Sequence, residues 1–493
     1  VAEQEQLDEK AAGDLAKAMA KELADLRLDF TTYDDYYNGL QALPTEPKRL
    51  TQAYKELLTM ATSNWCRLVV DVVAERLRVG KITTSANQNG DSEAWKVWQA
   101  NNLDARQLGV YVEALKCGVS YVSVWPNPES SLPPLIRGES PMQVHVRHDE
   151  ITGEALYAVK VWQGRDNFVY VTLYDQNNIY RFKSAQAGEA AEVFTARLTT
   201  RSDIAQIDLK PRTDDDDGGW LIPNPTKGVP FTAFYNQPDL MGGYSSELQG
   251  IIPLQDRINR TTFHRLLTQE FHAFPQRWVT GIDVDTDESG NPIQPFASEV
   301  DRLWVAVSES TKFGQFGSAD PSGFLSSITA DIQAMATQSR TPPHYLMAGM
   351  GQFPSGESVR ATEYGLHRKV QDRQVTFGEA WEEVVRKAAT IQNNTTVAED
   401  IALSVGWDAV EARTEGEIAD VLLKMSTLGV PRKVLWERWG ATPDEAQRWM
   451  DEATEEAQRI ASLDAISNGV VPGAEGMALG EAGPPEVRDE PTA

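Results

Sequence analysis

The 493-residue chain carries 46 basic against 72 acidic side chains, a formal net charge of −26, which excludes a broad basic surface built to hold nucleic-acid phosphates. At 41 % hydrophobic and 24 % charged residues it folds rather than remaining disordered, and its length calls for roughly two to four modules. No uninterrupted apolar run reaches the roughly 18 residues of a membrane-spanning helix.

The opening VAEQEQLDEKAAG is polar and acidic, unlike the basic and then apolar start of a signal peptide. Over residues 3–30, Leu7, Ala11, Leu15, Met19, Leu23, Leu26 and Phe30 recur at steps of three and four, one apolar helical stripe. Asn38-Gly39 and Pro44 interrupt it. A second long helix is predicted from about Lys48 to Arg78 and a third from about Ser92 to Lys116, with Gly118 as its cap. Cys66 and Cys117 fall in these helical patterns and read as buried thiols of a reducing compartment.

Residues 119–235 change texture. VSYVSVW, MQVHVRH, ALYAVKVW, FVYVTLY and NIYRF are short, β-branched and aromatic, and turn residues separate them, the signature of an antiparallel β-rich region. Helix resumes over 246–273, with Pro253 either kinking it or starting its main part. A small β element is predicted over 276–307, pairing RWVTG with RLWVAV across an acidic turn. Asp320-Pro321 then opens a further helix to residue 341. The two helices flanking this insert match in length, at about 21 residues or roughly 30 Å.

The next stretch, TPPHYLMAGMGQFPSGESV at 341–359, has Pro342, Pro343, Gly349, Gly351 and Pro354, so it reads as a loop. Yet it carries Tyr345, Leu346, Met347, Met350 and Phe353, and its one acid is Glu357. A long helix follows over about 357–392, then DIALSVGW as a strand. Two capping boxes, at Thr414 to Glu417 and at Thr442 to Glu445, introduce a compact helical module. From about Ser467 the composition is Gly, Pro, Ala and acid, read as a disordered tail.

Few constellations suggest chemistry. Asp285, Asp287, Ser289 and Gly290 match the first half of a calcium loop, but its twelfth position is Phe296 instead of Glu. The DDDD run at 214–217 precedes Gly-Gly and reads as a charged loop; divalent-metal chemistry needs carboxylates converging from separate rigid elements. His145 and His148 lie three apart in a strand pattern and do not share a face. No CxxC, Walker A, GxGxxG or GxSxG motif occurs, so neither enzyme, metal nor cofactor is expected. Trp95/Trp98 and Trp436/Trp439 read as packing anchors. Arg257, Arg260 and Arg265 on one helix, with Arg340 on the next, could face DNA or form surface salt bridges.

The passages SSELQGIIPLQDRINRTTFHRLLTQEFHAFPQRWVTG, FGQFGSADPSGFLSSI, SRTPPHYLM and PSGESVRATEYGLHRKVQDRQVTFGEAWEEV, with the upstream YDDYYNGLQAL and GVPFTAFYNQ, resemble the portal proteins of long-tailed (siphovirus-type) bacteriophages. The resemblance runs in order over about residues 30–460. It implies an α+β portal fold with wing, stem, clip and crown regions, assembled as a ring, usually a dodecamer, at one capsid vertex. Carried over, 1–235 and 357–407 are wing, 246–273 and 321–341 the two stem helices, 275–320 the clip and 342–356 the tunnel loop. Residues 408–466 form the crown. Implied lining groups of the channel are Tyr345, Met347, Met350, Gln352 and Phe353. Implied partners are further copies of the chain, double-stranded DNA in transit, the terminase large subunit, a head–tail adaptor, and the major capsid and scaffolding proteins, with no membrane. The implied place is the virion, after assembly in the host cytoplasm. A loop facing a ring's hole packs on neighbouring copies, which explains apolar groups there, and an acidic chain repels a duplex instead of holding it. A metal-dependent DNA-processing enzyme using 214–217 or 283–287, and a capsid scaffold without a channel, are the alternatives.

Overall fold

The computed structural model describes residues 6–41, 52–87, 90–129, 131–187, 208–213, 219–226, 228–273, 277–281, 310–315, 322–346, 356–410, 415–441 and 443–467. The acidic runs at 214–217 and 283–296, RLWVAV at 302–307, Asp320-Pro321, the stretch with Met347, Met350, Gln352 and Phe353, and the tail beyond 467 lie outside the described residues. The chain divides into two compact units, 1–410 and 411–493.

In the first unit, helix α1 (Glu9–Asn38) starts at Asp8, whose carboxylate accepts the Ala11 N–H at 2.7 Å, and ends at the left-handed Gly39. It runs eight residues past the expected stripe because its last turns are tied down. The Tyr36 hydroxyl donates to Asp256 and that of Tyr37 to Asp71, each at 2.7 Å. The helix expected over 48–78 is two helices, α2 (Gln52–Met60) and α3 (Trp65–Ala74). The break falls where Asn64 supplies an N-cap to Arg67. Against the expectation of no such segment, the window 56–74 is apolar and long enough, by composition alone, to cross a membrane, but 44 % of it is buried inside the fold. Cys66, Val69, Val70 and Val73 of α3 are wholly buried in the main core. The third expected helix likewise divides, into α4 (Ser92–Ala100) and α5 (Leu103–Cys117). Asn102 turns left-handed between them, and the Asn101 side chain donates to the Val97 and Pro134 carbonyls and accepts the Ile136 N–H. Gly118, at φ 89°, caps α5.

The β-rich region forms two antiparallel sheets. One has the order β10 (Phe231–Tyr235), β2 (Val119–Trp125), β3 (Leu135–Glu139). The other runs from β4 (Val144–His148) through β5 (Ala155–Gln163), β6 (Val169–Tyr174) and β7 (Asn178–Ser184) to β8 (Leu209–Pro211), with β9 (Leu221–Pro223) also on β7. The first half of α1 lays Ala12, Ala16, Met19 and Leu23 on Val159, Val171, Leu173 and Phe182 of the larger sheet. Phe30, in its second half, packs with Val119, Val144 and Phe231. His145 faces Glu22 of α1, and His148 faces Tyr235, so the two imidazoles serve separate partners.

Helix α6 (Ile252–Ala273) begins next to Pro253, so the proline starts the helix and does not kink it. Strand β11 (Arg277–Thr280) pairs with β12 (Lys312–Gln315), Val279 opposite Phe313; RWVTG thus has a partner at 312–315 that the sequence pattern did not indicate. Next come α7 (Ser322–Ser339), the single turn α8 (Pro343–Leu346) and α9 (Gly356–Ile391), the longest helix. α10 (Thr395–Ala398) leads into β13 (Ser404–Trp407), which pairs with β1 (Val79–Thr83). The apolar face of α9 carries the aromatic centre of the main core. Trp381 stands edge-on to Trp98 and Phe234 at 4.8 and 4.9 Å, and its N–H donates to Tyr111. Cys66 and Cys117 are free and buried; burial pushes the Cys66 thiol up to about 12.

The second unit has α11 (Glu415–Thr427), α12 (Arg432–Trp439) and α13 (Pro443–Ser467), with left-handed Gly429 and Gly440 at the two connections. Trp436 packs edge-on against Trp449 at 5.8 Å; Trp439 is exposed.

Candidate functional site

A group of the first unit's buried charged and polar side chains gathers where α6 and α7 leave the main core. Three constellations meet there. The first is an amide knot. Gln255 and Asn259, one turn apart on the inner face of α6, are fully buried. Asn259 Oδ1 accepts the Ser63 N–H at 3.0 Å, the Ser63 hydroxyl at 2.9 Å and the Gln255 amide at 2.9 Å. Gln255 Oε1 accepts the Trp65 N–H, and its Nε2 donates to the Ser63 carbonyl. The backbone groups released by the break between α2 and α3 therefore bond to the base of α6, as buried backbone groups must.

The second constellation is ionic. Glu247, in the turns before α6, lies between Lys369 at 2.6 Å and Arg373 at 2.8 Å, both on α9. Asn236 and Gln237 add their side-chain amides to the same carboxylate. Burial alone would raise the Glu247 carboxyl, but Lys369 and Arg373 overcome it and hold it at about 2. Lys369 also donates to the Ser339 carbonyl at the end of α7. One buried cluster thereby joins the entry to α6, the exit of α7 and the middle of α9.

The third constellation sits at the root of the apolar stretch. Arg340 takes a left-handed conformation at φ 55° and ends α7; Pro343 then begins α8. The Tyr345 hydroxyl accepts from Arg76 at 2.6 Å and donates to Glu363 of α9 at 3.0 Å, and the Arg76 guanidinium lies 5.4 Å from the Tyr345 ring centroid. Leu346 is buried in the main core.

The sequence-picked residues fall at different places around this root. Arg257 forms an ion pair across the helix pair with Asp331. Arg260 is exposed on α6, Arg265 is half-buried, and Arg340 is exposed beyond α7. Tyr345 is engaged within its own chain. The residues that build the joint, Glu247, Lys369, Arg373, Gln255 and Asn259, were not singled out from the sequence. Their available signal was phase: Lys369 and Arg373 flank Val370, and Gln255 and Asn259 flank Leu254 and Ile258, so each pair lies beside an apolar stripe. Among the described residues, no group of three or more His, Cys, Asp or Glu side chains is arranged to hold a metal ion.

Residues 21–459, and so most of both units, match the family described as phage portal protein, SPP1 Gp6-like. The portal protein of Mycobacterium phage D29 is 27 % identical over 412 residues, which cover 80 % of this chain and 79 % of that protein. The portal protein of Mycobacterium phage L5 is 26 % identical over 432 residues, covering 84 % and 83 % respectively.

Proposed function

Because the chain belongs to the phage portal protein family, SPP1 Gp6-like, we propose that its copies close into a ring of about twelve at one capsid vertex, by analogy with the family. A portal protein is a structural component of the phage capsid, and the family match over residues 21–459 is the observation that carries the reading. The ring's hole is the path of double-stranded DNA into the head and out of it. The terminase large subunit docks on it during packaging and a head–tail adaptor afterwards; capsid and scaffolding proteins surround it during assembly in the host cytoplasm.

Within that ring, 246–273 and 321–341, which contain α6 and α7, are the stem, 275–320 the clip, 408–466 the crown, and 1–235 with 357–407 the wing. The segment 342–356 reaches the constriction, with Met347, Met350, Gln352 and Phe353 toward the hole. Tyr345, bonded to Arg76 and Glu363, fastens the root of that segment. Support for an uncharged passage comes from α7. Its exposed positions Ser326, Ala330, Gln333 and Thr337 carry no charge, and the hydroxyls of Ser326 and Thr337 donate to their own helix carbonyls. Such a face offers phosphates little to grip. Of the stem arginines, Arg257 is already paired with Asp331, while Arg260 and Arg340 are exposed.

The test is a mass measurement of the purified full-length chain at micromolar concentration and moderate salt. A closed oligomer of about twelve copies is expected. A chain that stays monomeric under those conditions, and under conditions of head assembly, contradicts the reading.

A further inference from the structure

We propose that the second half of α13 docks on the α11–α12 surface of a second copy, joining copies head to tail through their second units. The contact deepens the ring reading and rests on it. Within one unit α12 packs against both α11 and α13, and the Trp436–Trp449 pair marks where α12 meets α13. Beyond that pair, residues 454–461 and 463 of α13 are all exposed. A helical segment of this length gains most of its stability from a packed apolar face. That face is present: Trp449, Ala453, Glu456, Ile460 and Leu463 recur at steps of four and three, the spacing of a helix that lies along another. Ile460 and Leu463 are 52 and 59 % exposed.

α11 offers the matching surface. Val421 and Leu428, two turns apart on one face, are exposed, Leu428 by 83 %. Met425 between them accepts from the Arg438 guanidinium of α12 through its sulfur. Charge selects the occupant. α13 carries seven acidic and two basic side chains, α12 three basic and one acidic. Among the described residues, neither Glu456 on the seam of α13 nor Arg438 has an oppositely charged partner. A second α13 laid on the seam would bring acidic helix against acidic helix, whereas the α11–α12 surface sets a guanidinium beside apolar groups. The giving and receiving surfaces are different parts of one unit. Each copy therefore gives one α13 and receives one, and such a head-to-tail contact closes into a ring when its rotation allows.

The test uses the full-length chain carrying Ile460→Cys and Leu428→Cys, treated with a short bismaleimide; Cys66 and Cys117 are buried and stay unreacted. A mass measurement before treatment reports whether the copies assemble. An oligomer is expected, with a ladder of dimer, trimer and larger species on a denaturing gel, while either single variant runs as monomer. Adding Glu456→Lys lowers the ladder yield about fivefold, the size of an exposed ion pair, and Arg438→Glu in the same chain restores it. An oligomer that gives no ladder overturns the contact and leaves the ring reading standing. A monomer by mass overturns both. Dimers from Ile460→Cys alone, which would mean that α13 pairs with itself, overturn the contact, and so does a ladder indifferent to Glu456→Lys.

Discussion

Helices α7 and α9 both anchor at the same buried joint, yet their surfaces differ. α9 carries twelve Asp, Glu, Lys or Arg side chains in 36 residues, and α7 carries one in 18. On α9 the charges hold structure together: Lys369 and Arg373 grip Glu247, Glu363 holds Tyr345, and Lys387 donates to the Phe231 carbonyl. On α7 the single charge, Asp331, is cancelled by Arg257, and its other exposed positions are uncharged, with hydroxyl, amide and apolar groups including Leu325. The difference teaches that charge is placed here by task. Where elements must stay in register it is buried and paired, and on the exposed face of α7, which we propose fronts the DNA path, it is absent.

Breaking the ionic side of that comparison gives the largest expected effect. Glu247→Gln leaves Lys369 and Arg373 buried without a counter-charge, and removing one partner of such a cluster costs about 3–5 kcal/mol. The loss is expected in the opening free energies of the α9 amides by hydrogen exchange, with the α13 amides of the second unit unchanged. Acid probes the same carboxylate without mutation. Its native value of about 2 lies below the ordinary 4.5, so its contribution is complete above about pH 4.5 and fades as the pH falls toward 2. The size is about 3 kcal/mol, and in Glu247→Gln this part of the acid sensitivity of the α9 amides disappears.

The amide knot comes next. Asn259→Ala removes the acceptor shared by the Ser63 N–H, the Ser63 hydroxyl and the Gln255 amide, which costs about 1–3 kcal/mol for buried donors left unpaired. Exchange at Ser63 and Trp65 is expected to rise before that of the aromatic core. The smallest effect is on the α7 side. Arg257→Ala removes a largely exposed guanidinium, and the pair contributes at most about 1 kcal/mol. High salt is expected to mask this change, whereas it leaves the Glu247 effect in place.

Much of the fold is legible in the sequence where one rule acts alone. The apolar stripes of α1 and α9, the turn signals between β4 and β7 and the glycines after α5, α11 and α12 are local patterns, and local physics decides them. The two misjudged helices failed for one shared reason. At 61–64 and at 101–102 the apolar period continues through Ser, Thr and Asn, whose side chains offer the backbone alternative partners. The structure takes those alternatives because Gln255, Asn259 and Pro134 stand ready across the fold. The joint was invisible for a related reason. Glu247 and Lys369 are 122 positions apart, and no local pattern marks a salt bridge between a turn and a distant helix. The portal resemblance, by contrast, was legible because it lies in the order of short passages along the chain.

The most direct measurement is a three-dimensional reconstruction of the assembled protein by electron microscopy. A closed ring is expected, with the uncharged face of α7 and the 347–355 segment lining its hole and the Glu247 joint set behind them. A hole lined instead by the Arg260 face of α6, or an assembly with no through-going hole, would contradict the placement of charge argued from these helices.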